Sequence, residues 1–236
     1  MSAESLTVPL PITDLRGVGE KLAERLGRLG VRTVEDLLFH LPLRYEDRTR
    51  VVPIGTLRPG DEAVVQGEVL LTEVKFRGRR TLLSRIADGT GALTLRFFHF
   101  NAAQQAALSR GTLVRCYGEV RRGAATLEMT HPEYRRLASP EREVEEHLTP
   151  VYPTTEGLHQ QSLRKLFAQA LAWLEGGRLQ LCEWLPEAVR RELDLPTLRE
   201  AVVYLHRPPP DASPESLREG EDPHRSRLAF EELLAQ

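Results

Sequence analysis

Cysteine is scarce: only Cys116 and Cys182 occur in 236 residues, far apart and in no CxxC pair. A disulfide framework and a zinc ribbon are thereby excluded, and a reducing compartment suits the chain. No run of about 18 apolar residues exists, so no membrane span is expected. The opening MSAESLTVPL lacks a basic start and an apolar stretch, so it does not read as a secretory signal. The cytoplasm is the expected location. Neither sign of charge prevails: Lys and Arg number 32, Asp and Glu 34, and the net formal charge is −2. Any basic patch must therefore be local. The motifs GxxxxGK[ST], HExxH and GxSxG are all absent, so no P-loop, zincin or nucleophile elbow is encoded. No catalytic residue and no metal site is expected. The chain reads as a binding module rather than an autonomous enzyme.

What is present falls into stretches of different character. Residues 12–42 read as helical. Leu22, Leu26 and Leu29 recur at i, i+4 and i+7, with Gly30 as a helix stop. Thr33-Val34-Glu35-Asp36 fits a capping box that opens a second helix, and Pro42 helps to end it. Residues 61–137 read as β. EAVVQGEVLLTEVKF is a long strand whose Gly67 suggests a bulge or sharp bend. RRTLLSRIADGTGALTLRFFHF is two strands joined by a DGTG turn, and NAAQQAALSRG is a short helix or turn. TLVRCYGEV and AATLEMTH form a further pair. Five strands with a helix between the third and fourth is the arrangement of an OB-fold barrel. In 158–205, Leu163, Leu166, Phe167, Ala170, Leu171 and Leu174 again have helical spacing. RPPPDASPESLREGEDP reads as a polar, Pro-rich linker, and RLAFEELLAQ opens another amphipathic helix where the sequence stops, as though the protein continued.

The expected class is therefore α+β: a five-stranded OB-fold barrel flanked by N-terminal and C-terminal helices. The expected segments are 1–60, helical; 61–137, the barrel; 138–206, helical; and 207–236, a linker and the start of a further domain.

OB-folds bind oligonucleotides on strands 2–3 and on the loops joining strands 1–2 and 4–5. Here the first loop, KFRGRR, carries Lys75, Arg77, Arg79 and Arg80, and the second carries Arg121 and Arg122. Residues 61–137 hold 12 Lys and Arg against 8 Asp and Glu, a net +4 inside a chain of net −2. The positive charge collects where phosphates would lie. The alternative is that these turns are simply solvated.

Three of the seven phenylalanines crowd into FFHF, 97–100. A period of two sets Leu93, Leu95 and Phe97 on one face and Thr94, Arg96, Phe98 and Phe100 on the other. The first face is apolar and should point inward. The second mixes cation and ring, which suits stacking on unpaired bases with Arg96 on a backbone phosphate. By the same logic Val114, Cys116 and Val120 point inward, leaving Arg115 and Tyr117 outside. Two alternatives stand: helices cover Phe98 and Phe100, or a bulge exchanges the roles of Phe97 and Phe98.

Gly17-Val18-Gly19, ahead of Lys21 and an amphipathic helix, resembles a helix-hairpin-helix element, whose amides can hold a DNA phosphate. A plain tight turn explains the glycines equally well. Tyr45-Glu46-Asp47-Arg48 reads as a salt-bridged loop, and the isolated His99 and His131 as partly exposed or hydrogen-bonded histidines.

The ordered motifs LRGVGEKLAERL, RTVEDLLFHLPLRYEDRT, FFHFNAAQQAALSRG, LTPVYPTTEGLHQQSLRKL and LHRPPP with RLAFEELLAQ resemble the N-terminal signature of the RecG helicase family. The resemblance covers essentially the whole chain. It implies a wedge region that splits strands at a DNA branch point. The motor of such proteins follows in cis and uses ATP and Mg²⁺; no cofactor is implied for this segment. The implied partners are branched DNA with single-stranded arms and single-stranded DNA-binding protein, with no membrane. The resemblance places base stacking on FFHF, hence on Phe97, Phe98 or Phe100. Some relatives carry a second aromatic shortly afterwards, where this chain has Asn101-Ala102-Ala103-Gln104. Two function classes remain: branched-DNA binding, and an OB-fold protein-interaction module.

Overall fold

A computed structural model describes residues 9–76, 80–139, 145–219 and 222–234. The chain forms two compact units, one of residues 47–146 and one that joins 1–46 to 147–236. The helical stretches before and after the barrel, read above as separate segments, thus belong to one unit.

In the helical unit, α1 (Glu20–Gly27) buries Leu26, with Leu22 and Leu29 beside it. α2 (Val34–Phe39) begins at a complete capping box: Thr33 Oγ1 accepts from Asp36 N, and the Asp36 carboxylate accepts from Thr33 N. Such caps are worth about 0.5–2 kcal/mol. β1 (Arg44–Glu46) leads out of the unit. The chain returns through β8 (Thr149–Val151), which pairs with β1 antiparallel, Arg44 opposite Val151. α4 (Gln160–Glu175) buries all six positions picked out by their spacing, Leu163, Leu166, Phe167, Ala170, Leu171 and Leu174. α5 (Glu187–Glu192) and α6 (Leu198–His206) follow.

The Pro-rich stretch expected to be a linker is folded. It contains α7 (Pro214–Glu219), whose Leu217 is wholly buried in the core of the unit, and α8 (Pro223–Leu234) starts four residues before RLAFEELLAQ. Among the described residues no helix is long and apolar enough to cross a membrane.

A dry polar hub sits in this unit. The Tyr152 ring stacks on Phe167 at 3.8 Å, and His206 lies against Phe167 at 4.6 Å. A carbonyl can only accept, so His206 Nε2 donates to Leu38 O at 2.7 Å and Nδ1 accepts from the Tyr152 hydroxyl at 2.9 Å. Burial holds His206 neutral, with its pKa lowered to about 4. Tyr45 OH donates to Leu205 O, and burial pushes its phenol well above the usual range.

The barrel unit has the order β2 (Glu62–Lys75), β3 (Thr81–Ala87), β4 (Ala92–Phe97), α3 (Ala102–Ala107), β5 (Leu113–Arg122), β6 (Leu127–Thr130) and β7 (Glu133–Leu137). β2 pairs first with β5 and then with β3, β3 with β4, and β4 with β6 in parallel. β6 and β7 lie along successive parts of β5, from Arg122 opposite Leu127 to Leu113 opposite Leu137. The expected fifth strand is present as β6, and past His131-Pro132 a further strand, β7, was not expected. The described barrel is thus the OB-fold, closed by the β2–β5 and β4–β6 pairings.

Gly67 stands where β2 exchanges one neighbour for the other. A Cβ there would come within 2.8 Å of Ala87 O, so the strands approach too closely for any other residue. The register shift itself lies further on, between Val69 and Leu71. Val65, Val69, Leu82, Ile86, Leu93, Leu95, Phe97, Val114, Cys116, Val120 and Met129 fill the interior. Each large apolar side chain so buried contributes about 1.5–3 kcal/mol.

Candidate nucleic-acid interface

The alternation of β4 holds to its end. Leu93 and Leu95 are fully buried and Phe97 is 3% exposed, while Thr94, Arg96 and Phe98 are partly exposed. The β3–β4 register runs without a shift from Ala87 opposite Ala92 to Leu82 opposite Phe97, so no bulge exchanges Phe97 and Phe98. Phe97 is core: its ring meets His131 edge-on at 6.0 Å and Tyr134 at 5.7 Å. It has no free face for a base, which removes it from the stacking candidates. Phe100 lies past the strand end, where alternation no longer rules. It is partly buried against the barrel core, with the Arg80 guanidinium 4.5 Å from its ring centroid. That distance is within cation–π range.

His131 is hydrogen-bonded, as one of its two expected accounts has it, and it organises this segment. Its backbone has φ 51°, an uncommon conformation for a non-glycine residue. Its N–H donates to Arg96 O at 2.8 Å, and its Nε2 accepts from Phe98 N at 3.3 Å. The Phe98 ring tilts against it at 5.6 Å and His99 lies nearly parallel to it at 6.1 Å. Three rings of FFHF thus lean on one side chain that is more than 30 positions away in sequence. No local pattern signals such a contact.

The cations divide into paired and open groups. Arg96 grips Glu128 across the β4–β6 ladder, Nη2 to Oε2 at 2.7 Å and Nε to both oxygens at 3.1 Å, with its guanidinium also 6.0 Å from the Phe98 ring. Lys75 pairs with Glu73 at 2.8 Å and Arg121 with Glu119 at 2.7 Å, both on exposed surface. Pairs of that kind are weak, about 0–1 kcal/mol, so a phosphate can compete for either cation. Arg80 and Arg122 are exposed. Arg77 and Arg79 lie outside the described residues. Arg115, expected outside, is 8% exposed. β5 has β2 on one side and β7 on the other, and Arg115 Nη2 donates to Gln66 Oε1 at 3.1 Å. Tyr117 is partly exposed as expected. Arg48 covers its ring at 3.8 Å and forks onto Glu133 at 2.9 and 3.0 Å.

Phe76 drew no attention in the sequence, yet it is 77% exposed. It follows directly on β2 at the tip of the β2–β3 hairpin. A groove of about 890 Å³ lies elsewhere on the barrel, lined by Val51, Gly67, Leu70, Asp88, Thr90 and Leu113 among others. It adjoins the DGTG turn, the opposite end of the β3–β4 hairpin from FFHF. Burial pushes the Asp88 carboxyl of that turn up, but hydrogen bonds from Ile54, Thr90 and Gly91 outweigh it and leave the group below the usual carboxylate range.

In the helical unit, Gly17 has φ 90° and Gly19 is the N-cap of α1, with no side chain capping that end. Lys21 is exposed on the first turn.

Fold and surface together define an OB-fold module carried by a chain with a second, helical unit. The chain belongs to the RecG wedge domain family, whose model matches residues 11–174. It is 48% identical over 227 residues to the ATP-dependent DNA helicase RecG of Pasteurella multocida, covering 96% of this chain and 32% of that protein. Against the protein of the same name from Escherichia coli K12 it is 48% identical over 229 residues, with the same coverage of 96% and 32%. Among solved structures it is similar to RecG bound to a three-way DNA junction, with a TM-score of 0.74 and 28% identity, covering 100% of this chain and 31% of that one. The chain spans about a third of the length of the curated relatives it matches.

Proposed function

We propose that this chain is the branch-binding wedge of an ATP-dependent DNA helicase that remodels stalled forks and recombination junctions. The observation that carries the reading is the split within FFHF: Phe97 is buried while its neighbour Phe98 keeps a partly exposed ring, held in place by His131 beside Arg96. A ring so held gives an unpaired base a rigid face, and Phe100 with Arg80 extends the surface. Lys75, Arg80, Arg121 and Arg122 take backbone phosphates, and Arg77 and Arg79 of the same loop are proposed to join them. Gly17, Gly19 and Lys21 are a separate phosphate contact on the helical unit. The barrel acts as a rigid obstacle: a motor drawing the duplex arms past it breaks base pairs with no chemistry in the wedge.

ATP and Mg²⁺ belong to the helicase length beyond this match. The 236 residues contain no GxxxxGK[ST] loop. The motor domains are the partner in cis.

The test is fork against duplex affinity for the chain with Phe98→Ala and Phe100→Ala, across a range of salt. Each lost stack should weaken fork binding by about 1–3 kcal/mol and leave duplex binding nearly intact. Undiminished fork preference would rule out base stacking at this segment. A second reading, docking of a single-stranded DNA-binding protein, is favoured by the groove at the other end of the β3–β4 hairpin. If a peptide of that protein binds without displacing fork DNA, the two sites are separate.

A further inference from the structure

We infer that Phe76 is a second base-stacking post for the unpaired strand, at the tip of the β2–β3 hairpin. The inference rests on the reading of the barrel as a single-strand-binding surface and adds a residue that the FFHF motif does not contain. A single exposed apolar side chain is ordinary on a protein surface. Three observations set this one apart.

The first is degree: Phe76 is 77% exposed, more than Phe39, Leu70, Leu71, Trp184 or Leu233. A ring in that position contributes little to folding, and its large flat face is left to solvent. The second is position. β2 and β3 pair up to Lys75 opposite Thr81, and β3 and β4 up to Leu82 opposite Phe97. The strand ends therefore bring the hairpin tip and FFHF to one end of the barrel. Arg80 ties them directly, since it belongs to the tip and lies over the Phe100 ring at 4.5 Å. The third is charge. Lys75 precedes Phe76, is 52% exposed in its side chain and pairs with Glu73. Ring, cation and a neighbouring ring surface make up the combination that binds single strands with little sequence preference, since every base has a π-face and every nucleotide a phosphate.

Directly after FFHF, Asn101-Ala102-Ala103-Gln104 forms the N-cap and first turn of α3 and carries no ring. A second stack from that stretch has no ring to use. Phe76 supplies one from the adjacent hairpin, so the ligand is a single-stranded nucleic acid that crosses from FFHF to the hairpin tip.

The experiment uses the whole 236-residue chain and a three-way DNA junction with 2-aminopurine at successive unpaired positions beside the branch. Stacking on a protein ring changes the fluorescence of that base. Phe76→Ala should weaken junction binding about five-fold or more and alter the signal at one position. Phe98→Ala should alter a different position. Phe76→Trp should keep both affinity and signal, and thermal melts should match for all three because the ring is exposed. If Phe76→Ala leaves affinity and every position unchanged while Phe98→Ala does not, the second post is wrong and the wedge reading stands. If neither variant changes anything, both fail. If Phe76→Leu binds as well as Phe76→Trp, the contact is not stacking and the inference is overturned.

Discussion

Each unit of this chain gathers rings around one histidine, and the two do opposite things with them. In the helical unit Tyr152, Phe167 and His206 are all buried, and every polar atom of the imidazole is matched to a hydroxyl or a carbonyl. In the barrel unit His131 supports Phe97, Phe98 and His99, of which only Phe97 is buried. The same residue types build a core in one place and a surface in the other. What differs is the partner of the ring faces. In the hub, Tyr152 and Phe167 stack at 3.8 Å and 8°, so each face is covered by protein. At FFHF the contacts of Phe97 and Phe98 with His131 are edge-on and tilted, that of His99 is nearly parallel, and Phe98 and His99 keep part of their surface exposed. Aromatic content alone therefore says nothing of function; the accessibility of the faces does.

The largest effect expected from breaking this contrast is in the hub. Phe167→Ala removes a buried ring packed against both Tyr152 and His206 and should destabilise the helical unit by about 3–5 kcal/mol in denaturant unfolding. Phe98→Ala should cost the barrel far less, because its ring is partly exposed. Equal losses for the two variants would contradict the division between core rings and surface rings.

The next effect is the pH dependence of the hub. His206 has a folded pKa lowered to about 4, against an ordinary value of 6.5. Between these values the unfolded chain binds the proton and the folded one does not, so acid favours unfolding. Above pH 6.5 the group has no influence. As pH falls from 6.5 to 4 the stability should drop by about 3 kcal/mol in total. His206→Gln should be less stable at pH 7 but should lose less on acidification. If the variant and the parent show the same slope between pH 6.5 and 4.5, some other group controls the acid response.

Much of this contrast was legible in the sequence, and its limits have physical causes. Local periodicity identified the six buried positions of α4, the capping box at Thr33 and the inward face of β4, since each depends on neighbours within one turn or one pleat. The class of fold followed from the order of such elements. Long-range contacts were not legible. His131 acts on residues 32 to 35 positions earlier, and nothing in MTHPEY announces a positive φ or the separate strand that follows it. Arg115 looked exposed by alternation, but a strand with neighbours on both sides shields a long side chain. The Pro-rich segment looked like a linker because composition does not reveal that Leu217 has a core to enter. One signal was available and unused: Glu73 and Lys75, like Glu119 and Arg121, stand two apart on one strand, hence on the same face.

That last pattern gives the smallest and most discriminating prediction. Arg121 and Glu119 are both exposed, so their pairing adds little to stability and much of its effect is to hold a positive charge against a negative one. Glu119→Gln should change unfolding stability by no more than about 0.5 kcal/mol. It should, however, release Arg121 for a phosphate and remove a repelling carboxylate. Fork binding should tighten at low salt, and the slope of log affinity against log salt should steepen by up to about 0.9 for a duplex arm. Arg121→Gln should move the slope the other way. Arg96→Gln tests something different, because its partner Glu128 is only 14% exposed and would be left beneath the surface without its cation. That variant should lose stability as well as binding. If Glu119→Gln alters neither affinity nor slope at any salt, Arg121 contacts no phosphate, and the positive edge of the barrel is confined to the hairpin tip and Arg122.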